Sequence, residues 1–245
     1  MGAGGWQEGR GSGPSTLHGK KAFLDGMEHF LIAMLGFVAM ILSLSTHEFS
    51  HALVAYLQGD DTARRAGRLT LNPLAHVDPV GTVLIPLIGA LTGIPVFGWA
   101  KPVPYNAYNL KYPKWGPTFV ALAGPGSNFL GAAIYLTMLK FCVTALDLST
   151  ANLLVLFLTL LVWVNIALGI FNLIPVPPLD GSNIVSVFLD KPQYRDIKRF
   201  LETRGPFILL VIIMIDAFSP HSVLTAVFSS VINFAFSLAG LGGMI

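Results

Sequence analysis

The sequence predicts an all-α, polytopic membrane protein: a bundle of about five to six transmembrane helices, with a re-entrant or β-hairpin segment between the first and second long helices. Hydrophobic residues make up 53% of the 245 and charged residues only 11%, where an ordinary soluble domain carries about 25% charged. Mean hydropathy is +0.67. Apolar runs recur at close to the 20 or so residues that cross a bilayer as a helix, and the basic residues fall in the short segments between them.

The elements follow in order. Residues 1–22, rich in Gly and Ser, lack the charged-then-apolar pattern of a signal peptide and are expected to form a flexible tail, leaving 23–245 as a single membrane-embedded domain. Long helices are predicted at 29–57, 117–141 and 151–175, with a shorter apolar pair at 206–219 and 222–243. Between the first two lies "GTVLIPLIGALTGIPVFGWAKP", broken by Pro86, Gly89, Gly93, Pro95 and Gly98. Irregular backbone at membrane depth survives only where protein or a water-filled cavity satisfies its amides, so this stretch reads as a re-entrant loop or hairpin. An exposed strand edge within it would hold an unwound peptide by pairing with it. The aromatics Trp99, Tyr105, Tyr108, Tyr112 and Trp115 flank the stretch as an interfacial belt would.

Composition also excludes. The net charge is +2 and no Lys/Arg cluster alternates with aromatics, which argues against nucleic acid as a partner. One cysteine, Cys142, rules out an internal disulfide and a Cys-rich zinc site.

The polar residues of the first long run carry the chemistry. His47-Glu48-Phe49-Ser50-His51 is an H-E-x-x-H pentad on a predicted helix. Four residues advance a helix by little more than one turn, so both imidazoles project from one face and can grip one Zn²⁺, with Glu48 beside them to act on a bound water. The plainer alternative is a pair of buried histidines hydrogen-bonded to their neighbours. Ionisable groups inside a membrane span are costly, which favours the metal.

Two histidines and a water leave one position on a tetrahedral ion. Two sources can fill it: His76 or Asp78 in "LNPLAHVDPVGT", or Asp180 in "FNLIPVPPLDGS", where an apolar helix ends in a Pro-rich stretch. The histidines lie nearer the Gly59 end of their helix, so the third ligand must arrive from that side. Asp180 does so only if helices 29–57 and 151–175 run in the same direction, which requires 82–99 not to cross as a single span. Under that arrangement eleven of the fifteen basic residues share one face, cytoplasmic by the positive-inside rule. Charge alone does not decide it, because a crossing segment would keep the split with different members; the metal geometry favours Asp180. Asn172, on the last turn before that stretch, is a supporting candidate for steadying an oxyanion, or equally an interhelical hydrogen bond.

"THEFSHALVAYLQGD", "RLTLNPLAHVDPVGT", "GWAKPVPYN", "ALAGPGSN" and "FNLIPVPPLDGSNIV" together resemble the site-2 protease family of intramembrane zinc metallopeptidases, and in particular its compact bacterial members, from about Phe30 to Leu189. The resemblance implies that His47, His51 and Asp180 bind one Zn²⁺ and that Glu48 is the catalytic acid/base. It implies a transmembrane protein substrate cut within or near the bilayer, in a bacterial inner membrane with the active site nearer the cytoplasmic face. Two other functions compete: a divalent-metal transporter using the same His and Asp residues, and an inactive binder of transmembrane segments.

Overall fold

The computed structural model describes residues 14–92 and 101–244. Helix α1 runs Pro14–Leu57, so it begins inside the stretch read from sequence as a tail. Proline suits a first helical turn because its missing N–H has no partner there anyway, and Lys20, Lys21, Ala22 and Leu24 are good helix formers. Further along α1 the hydroxyls return to their own backbone: Ser45 to Ile41 O at 2.6 Å, Thr46 to Ser43 O at 2.9 Å and Ser50 to Thr46 O at 2.7 Å. Those polar side chains thus reach membrane depth with their donors satisfied.

After the short α2 (Thr62–Arg65) comes the segment expected to be broken. Pro79–Leu84 is one π-helical stretch, continued by α3, Ile85–Thr92. Asp78 sets its start by accepting from Val80 N at 3.0 Å and Gly81 N at 2.7 Å, and Pro79 again occupies a first turn. The described half of the expected hairpin is therefore helical rather than extended, and no strand occurs among the described residues; the remainder, 93–100, lies outside them. The two ends of this excursion meet, because Lys111 N donates to Gln58 O at 2.8 Å and Gln58 Nε2 to Gly116 O at 3.3 Å. The chain thus leaves α1 and enters α4 (Gly116–Thr144) at the same end of the bundle.

Helices α4 and α5 (Leu153–Asn172) complete the central unit. A core of Ala39 from α1, Ala132 and Leu139 from α4, and Val155, Leu158 and Val162 from α5 joins them. Contacts near the middle fix the directions. His51 of α1 meets Val120 at the start of α4, whereas Ser43 meets Asn165 near the end of α5. Helix α4 is therefore antiparallel to α1, and α5 is parallel to it. Beyond the short α6 (Asp180–Ser186), α7 (Arg195–Phe218) and α8 (Val223–Leu238) form a pair bent by 80°. Asp216 closes the bend, accepting from Ser222 Oγ at 2.5 Å and Val223 N at 2.7 Å.

By length and composition three helices can cross a membrane, Gly26–Leu57, Gly116–Thr144 and Leu153–Asn172, or four if the bent pair is one span. The expected five to six counted α7 and α8 separately. The charged first turns of α7 and the 16 residues of α8 leave each of them short of a full crossing.

Candidate metal centre

Helix α1 presents His47 and His51 on one face, four residues apart, both less than a tenth exposed. The parallel course of α5 delivers the 173–179 connection to the same depth, where it turns and starts α6 at Asp180. Gly181 makes that arrival possible: a Cβ there would collide with the carbonyl oxygens of Leu173 and Ile174 at the end of α5. The result is a convergence of three atoms. His47 Nε2 and His51 Nε2 are 3.0 Å apart, and Asp180 Oδ2 lies 3.1 Å from the first and 3.3 Å from the second.

Three acceptor atoms at such separations repel unless a cation lies between them. A shared proton is the minimal solution; a divalent ion satisfies all three. Ligands about 2.0–2.1 Å from a tetrahedral ion sit about 3.3 Å from one another, close to the observed spacing, and the residue types suit zinc. His51 shows the preparation most clearly. Its Nδ1 lies 2.7 Å from Val120 O, and since a carbonyl only accepts, Nδ1 carries the proton and Nε2 offers its lone pair. Gly124, one turn further along α4, lies against both rings, where a Cβ would come within 2.6 Å of His47 Nε2. His47 Nδ1 is buried and has no hydrogen-bond partner among the described residues.

A cavity of about 470 Å³ opens beside these atoms. Glu48, 9% exposed, lines it and makes no hydrogen bond among the described residues, so its carboxylate is free to act on what enters. Asn172 lines it too, with one amide hydrogen committed to Leu168 O at 3.0 Å. Pro102, Val103 and Tyr105 form part of the wall. Tyr105, expected in an interfacial belt, instead faces the chemistry; burial and the Asp180 carboxylate push its phenol above the usual range and keep it a protonated donor. Nothing in its composition or spacing distinguished it from Tyr108, which is 94% exposed.

The other candidates for third ligand are engaged elsewhere. His76 Nε2 bonds Thr70 O at 2.8 Å, and Asp78 caps the π-helix. Both belong to the fold of the 68–84 segment. Sequence reasoning missed Val120, whose role is carried by a backbone oxygen and leaves no residue-type signal, and Gly124, which reads from sequence only as a close-packing glycine.

The chain is similar to known proteins. The model of Peptidase family M50 matches residues 142–215, a stretch that contains Asp180. "Putative zinc metalloprotease YwhC" of Bacillus subtilis is 38% identical over 179 residues, 71% of this chain and 78% of the relative. "Putative zinc metalloprotease Rip2" of Mycobacterium tuberculosis is 28% identical over 236 residues, covering 94% of this chain and 85% of the relative. A protein of the same name in Mycolicibacterium smegmatis is 28% identical over 188 residues, 76% of this chain and 67% of its own. No solved structure matches. With two histidines and an aspartate that could hold a metal ion converging in an apolar helical bundle and a relative of this similarity matched over most of both chains, the protein belongs to peptidase family M50, the site-2 protease family, and is a membrane-integral zinc metallopeptidase.

Proposed function

We propose that this chain is an intramembrane endopeptidase that hydrolyses peptide bonds in or near transmembrane segments of other membrane proteins, with His47, His51 and Asp180 as the zinc ligands and Glu48 as the catalytic acid/base. The single observation that carries the reading is the meeting of Asp180 Oδ2 with both imidazole Nε2 atoms below the bundle surface, beside a carboxylate with no other partner. Zinc held there supplies a Lewis acid and lowers the pKa of a water toward 7.

The rest of the work falls to side chains. Glu48 takes the proton released by the attacking water and returns it to the departing amide nitrogen, a role that needs it ionised at the start of the cycle. Val120 O keeps the His51 ring in its liganding tautomer. The second amide hydrogen of Asn172, not used by Leu168 O, is available to the oxyanion. The apolar wall of Leu44, Leu168 and Phe171 suits an apolar segment. In the same reading the 82–99 segment enters and leaves the membrane on one side, and the centre lies nearer the cytoplasmic face of a bacterial inner membrane. The meeting of Gln58 with Lys111 and Gly116 supports that single-sided course.

The test is reconstitution of the wild type and Glu48→Gln in proteoliposomes with a candidate single-span substrate, alongside metal analysis. The wild type is expected to hold one zinc per chain and cut the substrate; Glu48→Gln is expected to keep the zinc and lose the cut. Cleavage by Glu48→Gln at the wild-type rate would remove Glu48 from the mechanism.

A further inference from the structure

Asp60 is an acid with no exposed surface, just past the end of α1. No basic side chain pairs with it among the described residues, and all its partners are hydrogen-bond donors. Oδ1 accepts from Thr62 Oγ1 at 2.6 Å, Thr62 N at 3.3 Å and Asn109 Nδ2 at 3.0 Å, while Oδ2 accepts from Asn106 N at 2.7 Å. These bonds outweigh the opposing effect of burial and hold its carboxyl below the usual range. Two of the four reach across the sequence to the 101–110 connection, which has no regular structure from Lys101 to Asn106.

The stretch just before Asn106 supplies Pro102, Val103 and Tyr105 to the catalytic cavity. Packing of Tyr105 on the Ala55, Leu110 and Val120 cluster and a bond from Lys101 N to His76 O at 3.1 Å hold parts of this irregular wall. Asp60 adds a hydrogen-bonded anchor at the end of the same helix that carries His47 and His51. We propose that Asp60 is a positioning residue for the substrate: through Asn106 and Asn109 it fixes the 102–105 wall against which the bound polypeptide lies. This rests on the ligand assignment above. It predicts that loss of the buried carboxylate moves the wall while the ion stays in place.

The experiment uses two hydroxamate probes on purified, zinc-loaded protein. Acetohydroxamate anchors on the metal alone; a tetraleucyl hydroxamate adds an apolar arm that must lie along the cavity wall. Asp60→Asn is expected to weaken the tetraleucyl probe about tenfold, as small misplacements do, while leaving zinc content and acetohydroxamate affinity within about twofold. Asn109→Ala, which removes one clamp bond without touching the acid, is expected to act in the same direction and decides the question if Asp60→Asn fails to fold. Unchanged affinity for both probes overturns the proposal, and so does a parallel loss of both probes and zinc, which would make Asp60 a support of the fold only. Failure of the ligand assignment looks different: the wild type itself would bind neither zinc nor acetohydroxamate.

Discussion

The central unit of α1, α4 and α5 and the bent pair α7 and α8 are both apolar, yet they treat polar groups in opposite ways. In the central unit the polar side chains point inward: Ser43, His47, Glu48, His51 and Asn165 are each less than a tenth exposed. Asn165 Nδ2 donates to Ser43 Oγ at 2.7 Å and His51 is held by the Val120 carbonyl, while Glu48 lines the cavity. In the bent pair the charged groups sit in the first turns of α7 and at the Asp216 bend, and the remaining outward faces are large and apolar, with Phe207, Ile215, Phe218 and Phe234 more than 60% exposed. Lipid can cover the second arrangement, whereas only close helix packing can support the first. The difference locates the chemistry: glycine at Gly124 removes a side chain so that two imidazoles can fit between helices, whereas in the bent pair Gly205 makes room only for the ring of Pro177.

Substitutions can break or sharpen that contrast. The largest effect is expected for Glu48→Gln, which should lower the cleavage rate by about 10³-fold with zinc retained; measured turnover and metal content check both halves. Asp180→Ala is next. Removing one of three protein ligands should release most of the zinc on dialysis against a mild chelator, and retention at the wild-type level would contradict its place in the set. Gly124→Ala should weaken zinc binding about 10–100-fold by displacing the rings. Gly126→Ala, whose Cβ meets nothing within 4 Å, should leave zinc unchanged; equal effects from the two glycines would dissolve the distinction between inward and outward helix faces. In the bent pair, Asp216→Asn should leave turnover within about twofold, since its hydrogen bonds go to Ser222, Val223 and Leu224, none of which lines the cavity.

A smaller effect concerns pH. The folded-state pKa of Asp60 is depressed, so its contribution to stability is fully present above its unfolded value of about 4 and disappears as pH falls through the lower folded value. The melting temperatures of wild type and Asp60→Asn should therefore differ near neutral pH and converge only as pH falls below the usual carboxylate range.

Much of the centre was legible because its requirements are written in residue type and spacing. H-E-x-x-H needs only helical periodicity, and the same-direction condition for Asp180 followed from depth along α1; the convergence within 3.0–3.3 Å satisfies that condition. Helix limits at 117–141 and 151–175 came within a few residues of α4 and α5. The irregular elements were harder. Pro and Gly in 79–92 suggested broken backbone, but Asp78 and Pro79 start a helix there that continues through Pro86 into α3. Arg68 was counted among loop cations, yet it is 6% exposed and bonded to Ala75 O, because the 62–76 loop folds back on itself. Tyr105 and Asp60 owe their roles to partners 40 or more residues away, and no local pattern announces such a meeting.

The bond from His51 to Val120 O has a further consequence for how a long helical guest gets in. Because α4's main chain steadies the imidazole, any route that wedges α1 and α4 apart would disarm the centre at the moment of arrival. Admission that keeps this seam closed avoids that loss. A covalent tether stapling α1 to α4 away from the cavity should consequently leave turnover of a full-length guest intact, whereas an obligatory parting of that seam would show as a tether that stops it.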